Sequence, residues 1–173
     1  MSGYGLAELE RRLANVLRIG TVVAVDAGAA RVRVTFGGDT ESALIPFAVA
    51  RAGAARVWSP PSVGEQVTVF SPGGDTAQAV VMGSVYSAAA PAPSSDGEVV
   101  QVNLPNNVIV TIAGGNVTIE APGDVTIGAG GAVNIAAPGN VVVAGDVIAD
   151  GVSLRAHRHG GVQGGSSTTA GPQ

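Results

Sequence analysis

The sequence predicts an all-β chain: a short N-terminal helix, a small closed barrel, and a repetitive shaft that several chains must build together. Three observations carry that expectation. Apolar residues recur at helical spacing only at the start, in Leu6, Leu9, Leu13 and Val16/Leu17, and from Ile19 onward the period is two. Gly (26 residues) and Pro (10) cut the rest into short runs. From Asn116 an eight-residue unit repeats four times.

The helix is expected over residues 5–17, with Glu8 and Glu10 early and Arg11, Arg12 and Arg18 late, the order the helix dipole favours. Gly20 to Val25 and Arg31 to Phe36, joined by Asp26-Ala27-Gly28-Ala29-Ala30, read as a hairpin. Further strands are expected at Ala43 to Val49, Glu65 to Ser71 and Gln78 to Tyr86, separated by clusters such as Ser59-Pro60-Pro61 and Ser71-Pro72-Gly73-Gly74-Asp75. Five short strands in about 70 residues predict a small closed barrel. Ala88 to Gly97, rich in Pro and Ser, is a linker by composition.

The repeat begins at Asn116, Asp124, Ala132 and Asn140, and a variant copy with one extra residue precedes it at Asn107. In each unit an apolar pair at i and i+2 (Val117/Ile119, Val125/Ile127, Val133/Ile135, Val141/Val143) lies on one face of a strand. Thr118, Thr126, Asn134 and Val142 lie on the other. Such a unit buries too little to offset the roughly 1–2 kcal/mol per residue that ordering costs, and a single-chain β-helix needs coils of about twenty residues. Several chains wound round one axis would solve both problems and hide every strand edge. Beyond Gly139 the repeat shortens toward Val152-Ser153-Leu154, which reads as a taper.

Composition removes whole function classes from a chain of 173 residues, 16.9 kDa, charge −4 and pI near 5.0. All nine basic residues are Arg, so no Walker-type, Schiff-base or pyridoxal Lys exists. Without Cys there are no disulfides and no thiol or thiolate sites. The acidic balance and the scarcity of aromatic residues (3%) argue against nucleic-acid binding by phosphate neutralisation or base stacking. No apolar run approaches the roughly 18 residues of a membrane-spanning helix, and no basic-then-apolar signal peptide is expected. Residues 98–150 carry only acids (Glu98, Glu120, Asp124, Asp146, Asp150), a solubilising surface with no paired-carboxylate geometry.

The two histidines sit in one tripeptide, His157-Arg158-His159, just past the taper. Both in one place, they cannot serve a Ser-His-Asp triad. On a continuing strand their rings would share a face, with Arg158 opposite. One chain offers two nitrogens, too few for a transition metal, but a three-fold axis offers six in two layers. An all-imidazole, six-coordinate site points to Fe(II) or Ni(II) over Zn. The competing reading is a solvated His pair in a Gly-rich tail, Gly160 to Gln173.

Arg18-Ile-Gly-Thr-Val-Val-Ala-Val-Asp26, Arg31-Val-Arg-Val34, Trp58-Ser-Pro-Pro-Ser-Val-Gly-Glu-Gln-Val67, Phe70-Ser-Pro-Gly-Gly-Asp75 and Gln78-Ala-Val-Val-Met-Gly83, in this order, resemble the phage baseplate assembly protein V family. His157-Arg-His-Gly-Gly-Val-Gln163 resembles that family's tip, although Gly164 stands where members often carry Pro. The resemblance implies an N-terminal helix (1–18), an OB-fold barrel (19–88), a linker (89–97), a triple-stranded β-helix shaft (98–150) and an apex (151–173). It further implies a homotrimer whose His157 and His159 from three chains hold one iron. The expected role is a non-enzymatic spike in the tail baseplate of the virion, assembled in the host cytoplasm, bound to baseplate hub and tail-tube proteins, and driven through the host outer membrane by sheath contraction. A phage-tail-like bacteriocin or type VI secretion spike would have the same parts. A spike with a lysozyme domain would need a long insert where only Ala88 to Gly97 lies, and a nucleic-acid-binding OB protein would need the cationic, aromatic groove this chain lacks.

Overall fold

The helical spacing becomes α1, Gly3–Val16, in a computed structural model that describes residues 3–158 and residue 165. Glu8 accepts from Arg11 Nε at 2.8 Å and Arg12 Nε at 2.7 Å. The Arg11 and Arg12 guanidinium groups together hold its carboxyl down to about 2. Leu6, Leu9 and Leu13 stay exposed, so the helix is held by its backbone instead of its leucines. It runs without a loop into β1, Leu17–Asp26, and its Arg12 backbone lies directly against Gly74.

Gly74 has φ of +73°, and a Cβ there would overlap the Arg12 carbonyl. An L-residue pays about 1–2 kcal/mol for that backbone region, and overpacking adds about 1–3 kcal/mol. Gly74→Ala should therefore lower unfolding free energy by about 2–5 kcal/mol, read from the midpoint of urea denaturation. An unchanged midpoint would mean that α1 lifts away without penalty.

The five expected barrel strands all form, most of them shorter than the sequence predicts: β2 Arg31–Thr35, β3 Ile45–Pro46, β4 Gln66–Phe70 and β5 Val80–Ser84 join β1. Proline has no N–H to extend a ladder, and β3 ends at Pro46. The stretch before β5 becomes a 3₁₀ turn, Thr76–Gln78, capped by Asp75, whose Oδ1 accepts from Ala77 N at 3.0 Å. The sheet order is β3-β2-β1-β4-β5, all antiparallel. It curls until Phe47 meets Val81 in a parallel bridge, with Ala48 N donating to Val81 O at 2.7 Å.

Alternation fills the barrel. Val32, Val34, Val67 and Val69 point inward with Val22, Ile45, Ala79 and Val81, while Arg31 and Arg33 point out. A bulge at Val23 shifts the β1–β2 register, and a second at Met82 shifts β4–β5. Bulges add twist, which closing so small a sheet requires. Gly20 is needed where β1 crosses β2, because a Cβ would lie 2.5 Å from Val34 Cγ1 and 2.6 Å from Thr35 O.

At the beginning of the expected shaft, strands pair within one chain. β6 Val100–Leu104, β7 Val108–Ala113 and β8 Asn116–Glu120 form an antiparallel meander inside one chain. Asn106 and Asn107 make the first turn with φ of +62° and +60°, and Gly114-Gly115 make the second. The ladder sets three cross-strand rows on one face: Val100–Ile112–Val117, Val102–Val110–Ile119 and Leu104–Val108. The other face carries Gln101–Thr111–Thr118 and Asn103–Ile109–Glu120. Most of the apolar row residues are exposed. The chain divides into two units, Met1–Asp124 and Val125–Gln173.

Candidate metal centre at the apex

In the second unit, the later octads expose the pairs that the sequence placed on one face. Val125, Ile127, Val133 and Ile135 are more than half exposed, and residues 124–147 form no strand ladder within the chain. Regular pairing returns at β9 Ile148–Ala149 and β10 Val152–Ser153, an antiparallel hairpin. Its two-residue loop is Asp150-Gly151, with φ of +48° and +78°. Positive φ at both central positions is what a type I′ hairpin demands, and Asp-Gly supplies it. Leu154 N donates to Val147 O at 2.8 Å, extending the pairing by one bond.

The chain then turns instead of continuing as a strand: residues 154–156 form a turn. The shared-face premise for His157 and His159 therefore does not apply at His157. Asp146 organises the turn. Its Oδ2 accepts from Ser153 Oγ at 2.5 Å and its Oδ1 from Arg155 N at 3.1 Å. Ser153 Oγ in turn accepts from Ala156 N at 2.8 Å. The Ser153 hydroxyl, then the Arg155 N–H, hold the Asp146 carboxyl below the usual carboxylate range.

His157 closes this network. Its backbone N donates to Ser153 O at 3.1 Å, and its Nδ1 lies 3.1 Å from both Ser153 O and Leu154 O. Carbonyl oxygens only accept, so Nδ1 is the donor here, which in a neutral ring puts the lone pair on Nε2. That is the tautomer of a metal-ligating histidine whose other nitrogen is tied to the backbone. Arg158 is exposed, and His159 lies outside the described residues. Among the described residues no three His, Asp or Glu side chains of one chain converge.

Sequence reasoning singled out His157 but missed Asp146, which it took for part of a solubilising surface. Nothing in the spacing marks a carboxylate that bonds residues seven and nine positions ahead. The Asp150-Gly151 hairpin, by contrast, carried a readable signal. In the barrel, Arg31 donates to Leu44 O at 2.9 Å, Arg33 faces Glu41 at 3.9 Å, and the Arg18 guanidinium covers the Phe36 ring at 3.8 Å. These cations serve the barrel itself.

Comparison with known proteins matches residues 18–86 to the type VI secretion system/phage-baseplate injector OB domain. Residues 151–173 match the GpV apex motif. The two matches together cover more than half of the chain, including both ends of the architecture, the barrel and the His-bearing tip. The spike protein of Escherichia phage P2 is 36% identical over 105 residues, 61% of this chain and 49% of that protein, so the chain spans about half its length. The chain thus carries, in this order, an OB domain similar to that of type VI secretion and phage-baseplate injectors and a segment similar to the GpV apex motif.

Proposed function

We propose that three copies of this chain form a non-enzymatic spike that a contracting sheath drives through the host outer membrane. One observation carries the reading: a sheet face of eight apolar side chains, Val100 to Ile119, that one chain pairs into rows yet leaves largely uncovered. Half-exposed aliphatic side chains gain about 1 kcal/mol each on burial, so such a face is worth on the order of 8 kcal/mol per chain. Three-fold packing buries it and gives the unladdered octads neighbours to pair with, as a triple-stranded β-helix. Residues 1–18, 19–88, 89–97, 98–150 and 151–173 then serve as helix, OB barrel, linker, shaft and apex.

At the apex, His157 and His159 of three chains supply six nitrogens to one iron, and the tautomer of His157 fits that role. When bound, the ion supplies no redox or hydrolytic step here; it cross-links three chains where apolar packing thins beyond Leu154. Baseplate hub and tail-tube proteins are the partners, and the virion tail is the location. A type VI or bacteriocin spike is the second reading, favoured by the injector domain's shared description.

Particles assembled with a chain ending after Ala156 should attach to cells normally and deliver their contents poorly. Normal delivery would reduce the apex to a plug for the tail tube.

A further inference from the structure

We infer that Asp146 is the positioning residue of the apex: through Ser153 and Arg155 it sets the turn that aims the His157 ring, and so governs how firmly three chains hold their metal. The inference rests on the metal reading above. Two anchors of His157, its backbone N and its Nδ1, converge on the carbonyl of Ser153. Ser153 itself is fixed from the side chain, donating to Asp146 while accepting from Ala156 N. Asp146 takes the next N–H as well, that of Arg155.

The strands that lead into the turn are short. The β9–β10 hairpin is two residue pairs long, and an isolated two-stranded hairpin is marginal in water. Asp146, Ser153 and His157 are not buried, so water competes for each group. Removing the carboxylate leaves Ser153 Oγ–H and Arg155 N–H without their common acceptor and lets the turn sample other conformers. Every conformer that mis-aims the ring must be suppressed when the metal binds, which lowers the apparent affinity by the fraction correctly posed. Loss of an outer-shell partner typically costs about 10- to 100-fold in metal affinity.

The test uses the full-length trimer. Asp146→Ala should give up half its metal at an about 10- to 100-fold lower concentration of competing chelator than the parent, and light scattering should still give a trimer. Asp146→Asn keeps one acceptor oxygen and should lose less. Asp124→Ala, which removes an equal charge from the shaft, should match the parent. Nitrogen NMR of the metal-free, ¹⁵N-histidine-labelled trimer should show His157 protonated at Nδ1 in the parent and shifted toward the other tautomer in Asp146→Ala. A parental chelator midpoint for Asp146→Ala overturns the inference, as does an equally lowered midpoint for Asp124→Ala. If the parent binds no metal, the metal reading fails by itself, and the tautomer decides: an unchanged ratio overturns the positioning role and a shifted one sustains it. Should Asp146→Ala not trimerise, Ser153→Ala, which deletes the hydroxyl but keeps the carbonyl, is read on the same two scales.

Discussion

Ile119→Asp is expected to abolish the trimer, while Thr118→Asp, one residue away, leaves it intact. Ile119 stands in the row Val102–Val110–Ile119, and Thr118 stands opposite Thr111 on the other face. If the apolar face is the inter-chain face, the substitution brings three carboxylates toward one axis. Each loses the apolar contribution of isoleucine, about 1.5–3 kcal/mol, and adds an uncompensated buried charge costing several kcal/mol more. Mutual repulsion raises the carboxyl pKa values and weakens the penalty only as far as protonation allows. Thr118→Asp places the same charge in solvent. Light scattering separates the outcomes, since the parent should weigh about three times 16.9 kDa. A trimeric Ile119→Asp would show that the face is covered by something other than sister chains.

His157→Ala should take bound metal from one ion per three chains to none, with the trimer retained. On the proposed site the substitution would remove three of six nitrogens at once, one entire layer of ligands. Three imidazoles from His159 and water would remain, a set that a weak chelator strips. The shaft should survive, because its apolar face lies at Val100 to Ile119, far from position 157 in sequence. Elemental analysis after dialysis gives the ratio. Metal retained at one per three chains would place the site elsewhere, and loss of the trimer would make the ion a folding nucleus.

The barrel was legible because its strands alternate cleanly: Val32/Val34 and Val67/Val69 are separated by polar or charged neighbours, and the inside is filled almost entirely by valine. Strand ends were less legible, since Pro46 and the Asp75 cap stop β3 and delay β5 through backbone bonding that periodicity does not record. β6 shows the opposite failure. Val100, Val102 and Leu104 alternate as plainly as the octads do, but they precede the repeat and were read only as part of the shaft. The ladder then pairs them with β7. In the candidate site, His157 stood out by rarity of type, whereas Asp146 acts through bonds to residues that only folding brings near. Residues 124–147 were read as strands from a correct alternation, yet one chain contains no neighbour for them, so their ladder is a property of the assembly proposed.

The meander closes through turns of three residues and two, all of its strand pairings local in sequence. Hairpin closure of this kind takes on the order of microseconds, and low contact order makes folding fast. A nascent chain can therefore finish these three strands long before it meets a second copy. The octads that follow are nearly interchangeable, so three chains could align them one unit out of step at little cost in side-chain matching. The meander has less ambiguity, because β6 precedes the repeat and its ladder with β7 and β8 occurs once per chain. Docking those rows first would set the three chains level before the repeats zip, and each repeat would inherit its alignment from the one before. On that order of events the concentration-dependent step of assembly is the meeting of finished faces, and slippage along the shaft is opposed by the one three-strand ladder that each chain builds only once.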